Sequence, residues 1–348
     1  MNDNLNNFWN NKKVLITGHT GFKGSWLTIF LNYLGSEVHG LSREEKPGIY
    51  SIANVKELLS SETKADISTY DIDDLNTAIS KISPDIVFHL AAQSLVIKSY
   101  EDPKDTVYSN VIGTYNVLDS INKSQNTKSL IIATTDKVYK YPEKENKEDA
   151  EIGGSDFYSA TKSSAELLIN AFINSSKNNS LNVSVVRSGN VIGGGDRSEN
   201  RLMTDLVTAL NNDQNFNLRM PESIRPWQYI LDSLHGYLLI GQENFEEEKS
   251  EIYNLNSKIN NDYNSRKITE LMFKNWGTSK EIIFQTDKMY KEVDKLTIDS
   301  SKATKNLNWM PKYSVEETVE EIVQWEKYYK KNSGCDYSLN QIKKFIEK

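Results

Sequence analysis

Two short stretches of this 348-residue chain carry side chains able to move protons. In Tyr158-Ser-Ala-Thr-Lys162 a phenol and an ammonium stand four residues apart, which makes them neighbours on one helix face. A nearby ammonium favours tyrosinate, so Tyr158 could take a proton closer to neutral pH than its reference pKa of about 10 permits. Both residue types are common, and a surface pair is the plain alternative. Position argues for chemistry: the pair follows the Gly153-Gly-Ser155 loop and opens a helical segment. Thr134-Thr135-Asp136-Lys137 supplies hydroxyls, a carboxyl and an amine in succession at the end of an apolar run. Such a set can bind a hydroxylated substrate, donate a proton and accept one. Its structural alternative is a strand end closed by an Asx turn.

These groups need a scaffold, and the N-terminal run shows which. Val14-Leu-Ile-Thr-Gly18-His-Thr-Gly21-Phe-Lys-Gly24-Ser-Trp-Leu27 is a short apolar strand, three glycines spaced three apart, and a helix-forming segment. That is the layout of a dinucleotide-binding turn, with the helix N-terminus facing the phosphates. Further strands are predicted at 37–41, 85–90, 129–134 and 182–187, with helices at 24–34, 73–82, 103–123 and 158–176. The alternation predicts an α/β fold built on a doubly wound parallel Rossmann sheet. After Arg187 the rhythm changes: a Gly193–Gly195 loop, a helix at 201–210, then a helix at 229–242 and a strand at 251–256 that return to the sheet. Ser314-Val-Glu-Glu317 fits a capping box ahead of a helix. The expected division is a dinucleotide-binding domain over 1–187 with returning segments at about 229–256. A smaller, discontinuous substrate-binding cap would comprise 188–228 and 257–348.

Bulk properties narrow the classes. A net charge of −7 without a basic stretch interleaved with aromatics argues against nucleic-acid binding. The single cysteine, Cys335, excludes an intrachain disulfide, and the four histidines are scattered rather than at metal-ligand spacing, so no metal is expected. The first residues have neither a basic start nor an apolar core, and no apolar run approaches bilayer length. A cytoplasmic protein without membrane partners is the expectation.

Taken together, Gly18–Gly24, His89-Leu-Ala-Ala-Gln93, Thr135-Asp136-Lys137 and Tyr158 with Lys162 resemble the nucleotide-sugar branch of extended short-chain dehydrogenase/reductases. Four stretches resemble in particular the CDP-glucose type of 4,6-dehydratase within it: Gly18-His-Thr-Gly-Phe-Lys-Gly-Ser-Trp26, Asp136-Lys137, Arg187-Ser-Gly-Asn-Val-Ile-Gly-Gly-Gly-Asp196 and Ile224-Arg-Pro-Trp-Gln228. The resemblance runs from about Phe8 to Tyr329. It implies that Gly18, His19, Thr20, Gly21, Phe22, Lys23 and Gly24 hold NAD, with Leu90, Ala91, Ala92 and Gln93 beside it. Asp66 and Ile67 would meet the adenine, and Tyr158 and Lys162 would complete the cofactor site. Substrate contacts are implied for Ser94, Asn190, Arg201, Arg225 and Gln228; Trp227 is open between packing and nucleotide contact.

The same resemblance implies a reaction on CDP-glucose. Tyr158, helped by Lys162 and Thr135, would take the proton of the 4-hydroxyl as hydride leaves C4 for NAD. A base would then remove the C5 hydrogen while Asp136 protonates the departing 6-hydroxyl, before hydride returns to C6. Lys137 stands where dTDP-glucose dehydratases carry glutamate; it is either the C5 base or a residue that orients substrate. The enzyme alternatives are a UDP-N-acetylglucosamine type of dehydratase and a sugar-nucleotide 4-epimerase, and the Asp136-Lys137 pair speaks against the latter. A non-catalytic NAD-binding regulatory or scaffold protein is opposed by intact Thr135, Asp136, Tyr158 and Lys162. Arg43 follows the second strand, where an acidic residue usually meets the adenosine ribose, and would ordinarily point to NADP. The CDP-glucose type also lacks a clear acid there and uses NAD, so NAD is the expectation. Members of the family commonly associate through two long helices, here 103–123 and 158–176, which implies a homodimer or homotetramer.

Overall fold

Short runs such as Ile86-Val-Phe-His89 are buried along their whole length, as strands covered on both faces must be. The computed structural model describes residues 2–348 apart from 46, 70–71, 125, 142–143, 176–179, 258–262, 286–295 and 331–332. Seven strands form one sheet in the order Ile252–Leu255, Asn182–Ser188, Ser129–Ala133, Ile86–His89, Lys13–Thr17, Glu37–Ser42 and Ser61–Lys64. All pairings are parallel, with Val14 opposite Val38 on one side and Ile86 on the other. Chain order reverses between Lys13–Thr17 and Ile86–His89, so the crevice at their C-terminal ends is the place where such a sheet binds ligands.

Alternate residues feed two cores. Val14, Ile16 and Phe88 point to one face and pack with Trp26, Phe30 and Leu234. Leu15 and Val87 point to the other and pack with Leu118, Ile121 and Ile169. Each fully buried side chain of this size contributes about 1.5–3 kcal/mol. Beyond Arg187 a separate cluster joins Ile192, Leu206, Leu210, Met272, Val319 and Ile322. The capping box is present: Ser314 N donates to Glu317 Oε2 at 2.8 Å and Glu317 N to Ser314 Oγ at 3.2 Å, opening helix Val315–Tyr328. The last helix, Gly334–Glu347, lies against helix Phe22–Tyr33, with Phe345 edge-on to Phe30. Among the described residues no helix is long and apolar enough to cross a membrane, and no cluster of His, Cys, Asp and Glu is arranged to hold a metal.

Two expectations need correction. The third strand, Ser61–Lys64, was not expected, because Ser-Glu-Thr-Lys has no apolar alternation; it is an edge strand held by its backbone pairing to Glu37–Ser42. The stretch 103–123 is not one regular helix. Pro103–Val107 passes through a π-helical turn at Tyr108–Ile112 before Gly113–Ser124. The Asn110 amide in that turn grips Gln93, accepting from its N–H at 2.9 Å and donating to its carbonyl at 3.0 Å. It also donates to Thr161 Oγ1 at 3.1 Å. The widened turn thus ties the loop after the fourth strand to the helix that carries Tyr158.

Candidate active site

Gly18 follows strand Lys13–Thr17 with φ +77°, and a Cβ there would lie 2.7 Å from Ala91 N. A Cβ on Gly24 would lie 2.3 Å from Gly18 O, so only glycine lets helix Phe22–Tyr33 pack onto the turn. Gly21 caps that helix and offers no side-chain oxygen to its first-turn N–H groups, which suits an anionic ligand there. His89 braces the turn from beneath. Its Nδ1 meets Thr17 Oγ1 at 2.7 Å and its Nε2 meets Thr114 Oγ1 at 3.1 Å. Burial pushes this imidazole down to about 3, so it is a neutral strut.

One long cleft runs from this turn. Thr20, Phe22, Lys23, Asp66 and Ile67 line it, followed by Leu90, Ala91, Ala92, Gln93 and Ser94. Farther along come Thr135, Asp136, Lys137, Tyr158, Lys162, Asn190, Arg201 and Arg225. Two expected site residues are elsewhere. The His19 ring is fully buried beside Gly40 and held by Glu62 Oε1 at 2.7 Å, which turns it toward the sheet edge. Gln228 is buried in a short strand pairing with Val191 and does not line the cleft.

At the reacting end, Thr135 caps the turn Asp136–Val138. Its hydroxyl donates to Asp136 Oδ1 at 3.0 Å and stands close enough to the Tyr158 phenol to pull its pKa down. Burial raises the Asp136 carboxyl, against the pull of Lys137, Thr135, Arg225 and Lys23, and its Oδ2 has no hydrogen-bond partner among the described residues. Contrary to the expectation of a phenol brought closer to neutral by Lys162, burial pushes Tyr158 up to about 12, with Thr135 and Arg201 opposing and Asp136 and Asp156 reinforcing. Lys162 donates from Nζ to Ala133 O at 3.1 Å, and burial lowers it to about 8 while Glu166 resists. Lys23 is half-buried as a residue, yet its ammonium is enclosed 5.7 Å from the centre of the Tyr237 ring. Burial, then Arg201 and Lys162, lower it to about 7. Burial therefore favours neutral amines and protonated acids, and the crowded cations reinforce the first effect while opposing the second.

A buried ion pair fixes the platform. Glu166, one turn beyond Lys162 on helix Phe157–Ser175, accepts from Arg187 Nε at 3.0 Å and from Arg187 Nη2 at 2.5 Å. It also accepts from Thr134 Oγ1 at 2.6 Å. The Tyr158 helix is thereby locked to the two strand ends that carry Thr135 and Ser188. On the opposite wall Arg201 reaches Ser94 Oγ at 3.2 Å and Asp196 at 3.6 Å. Its loop is pinned by Glu326, which accepts from Gly195 N at 3.0 Å and from both ends of the Arg197 guanidinium, at 2.8 and 2.7 Å. Glu326 is not foreshadowed by a motif; long-range packing alone delivers it.

The whole-chain comparisons agree with this geometry. Residues 15–322 match the family model described as GDP-mannose 4,6 dehydratase. The CDP-glucose 4,6-dehydratase of Salmonella typhimurium is 37% identical over 333 residues, covering 92% of each chain. The chain belongs to the nucleotide-sugar 4,6-dehydratase family. A probable dTDP-glucose 4,6-dehydratase of Sinorhizobium fredii is a more distant member, 26% identical over 90% of this chain and 92% of its own. Among solved structures, MoeE5 in complex with UDP-glucose and NAD superposes with a TM-score of 0.78 at 20% identity, over 90% of this chain and 98% of its own. That likeness establishes the fold.

Proposed function

We propose that this family member is an NAD-dependent hydro-lyase that converts CDP-D-glucose to CDP-4-dehydro-6-deoxy-D-glucose and water. The observation that carries this reading is the single cleft beside the glycine turn that brings together the Tyr158 phenol and the buried Asp136 carboxyl, to which the Thr135 hydroxyl donates. An oxidation alone needs only the phenol; loss of water also needs an acid that holds its proton, and burial of Asp136 favours that state. The CDP sugar follows from the similarity to the Salmonella protein.

Tyr158 takes the proton of the sugar 4-hydroxyl, with Thr135 beside it in the cleft and Lys162 one turn along the same helix. The chemistry that NAD would supply here is reversible hydride transfer, away from C4 and later to C6. Asp136 donates its proton to the departing 6-hydroxyl, and Lys137, half-buried beside it, removes the C5 proton and returns it to C5 as hydride reaches C6. Gly18, Thr20, Gly21, Phe22, Lys23 and Gly24 hold the phosphates and nicotinamide half, with Leu90–Gln93 alongside and Asp66–Ile67 at the adenine. Ser94, Asn190, Arg201 and Arg225 hold the nucleotide sugar, within a cap built from 188–228 and 257–348.

The outer face of helix Phe157–Ser175 leaves Phe157 and Leu167 exposed, and Tyr115 is exposed on the neighbouring Gly113–Ser124. This apolar face supports a homodimer or homotetramer built on these two helices. The setting is cytoplasmic deoxysugar synthesis for O-antigen or another surface polysaccharide. The test is turnover of CDP-, dTDP-, UDP- and GDP-hexoses by mass spectrometry. A product lighter by one water from CDP-glucose is expected; epimerisation without water loss, or preference for UDP-N-acetylglucosamine, overturns the reading.

A further inference from the structure

Arg43 stands one residue beyond strand Glu37–Ser42 and nineteen after Gly24, where an arginine in this type of fold can receive the 2′-phosphate of NADP. It lines the cleft together with Ser42 and Asp66. Its guanidinium, however, is already engaged. Arg43 Nη1 donates to Asp105 Oδ1 at 3.0 Å, and Arg43 Nε lies 3.6 Å from Glu44 Oε1. Asp66 adds a third negative charge, and the Asp105 hydrogen bond is the largest of the influences that hold Arg43 above its ordinary value.

Asp105 is itself built into place. It sits in helix Pro103–Val107, whose cap Asp102 accepts from Asp105 N at 2.9 Å. Ser109 Oγ in the π-helical turn donates to Asp105 Oδ1 at 3.4 Å. Asp105 Oδ2 is buried without a hydrogen-bond partner among the described residues, and Asp105 does not line the cleft. The carboxylate thus holds Arg43 from behind, out of direct contact with a ligand. Thr20 Oγ1 completes the frame: it donates to Glu44 O at 2.8 Å and meets Ser42 Oγ at 2.9 Å, tying this corner to the glycine turn.

We propose that Asp105 is the residue that makes the cleft select NAD over NADP: by pairing with Arg43 it removes the cation a 2′-phosphate would need, and with Glu44 and Asp66 it leaves an anionic corner. A neutral ribose 2′-hydroxyl is tolerated there, whereas a 2′-phosphate enters the negative field of Asp66 on the cleft wall and of Glu44 and Asp105 off it, with the one guanidinium committed. The local sequence cannot reveal this, because Arg43 and Asp105 are 62 residues apart.

The proposal rests on reading the cleft as a dinucleotide site, and direct binding to cofactor-stripped protein separates the two. Dissociation constants are measured calorimetrically for NAD and NADP, and for the fragments ADP and adenosine 2′,5′-bisphosphate. For D105N, NADP and the bisphosphate are expected to bind at least about tenfold more tightly relative to NAD and ADP, the scale of one close charge pair. The double variant R43M/D105N should lose that gain, while R43M alone should gain nothing. An unchanged NADP-to-NAD ratio in D105N, or a gain that survives in the double variant, overturns the proposal while leaving the cofactor reading intact. A parent protein that binds neither dinucleotide overturns both. Should D105N fail to fold, D105S is measured in its place by the same criteria.

Discussion

The two ends of the cleft handle charge in opposite ways. At the reacting end Asp136, Tyr158, Lys162 and Lys23 are enclosed, and burial is the largest influence on each, pushing every one toward its uncharged form. At the adenosine end Arg43 and Asp105 are about one-third and one-fifth exposed, and each holds the other ionised. The first arrangement keeps protons within reach of transfer; the second fixes geometry and sign of charge. A dry pocket suits chemistry because neutral and ionised forms are brought closer in free energy, whereas paired charges in partial solvent hold one state.

The largest expected effects lie at the reacting end. Asp136→Asn should lower turnover about a thousandfold, a typical contribution of one general acid. Reduced cofactor should then accumulate, because oxidation at C4 outlives loss of the 6-hydroxyl; stopped-flow absorbance of NADH tests this. A variant that stalls before any NADH appears would place Asp136 in the first step instead. Tyr158→Phe should cost a comparable factor but abolish NADH formation itself.

Lys137→Ala should reduce turnover about a hundredfold and remove solvent deuterium exchange at C5, read by NMR. Undiminished exchange would assign Lys137 to substrate orientation. The pH dependence sharpens the contrast further. The Asp136 carboxyl is raised, and a proton donor works only below its pKa, so elimination should weaken as pH climbs through that raised value. Oxidation at C4, followed separately as NADH, should not fall along the same limb.

Smaller changes are expected where charges are paired. Glu326 is almost wholly buried against Arg197, so Glu326→Ala strands a buried guanidinium and should cost about 3–5 kcal/mol in denaturant unfolding. Because that pair pins the loop before Arg201, KM for the sugar nucleotide should rise more than kcat falls. Arg43→Ala should be the mildest, changing NAD affinity by about threefold or less, since a partly exposed ion pair contributes little.

Much of this molecule could be read along the chain because its signals are local. Six of the seven sheet strands are apolar runs, and the turn at Gly18–Gly24 is a backbone requirement written in residue type. The proton-moving groups Thr135, Asp136, Tyr158 and Lys162 are set by position at a strand end and on one helix face. Other features depend on partners far away in sequence. Ser61–Lys64 became a strand through pairing at the sheet edge, and the His19 ring left the cleft because Glu62 on that strand captured it. The sequence by itself determined the parallel sheet, the glycine turn and the choice of groups proposed to react. Only the tertiary structure decided which charges meet, Arg43 with Asp105 and Arg197 with Glu326, because such encounters depend on how distant elements pack and leave no periodic trace in the chain.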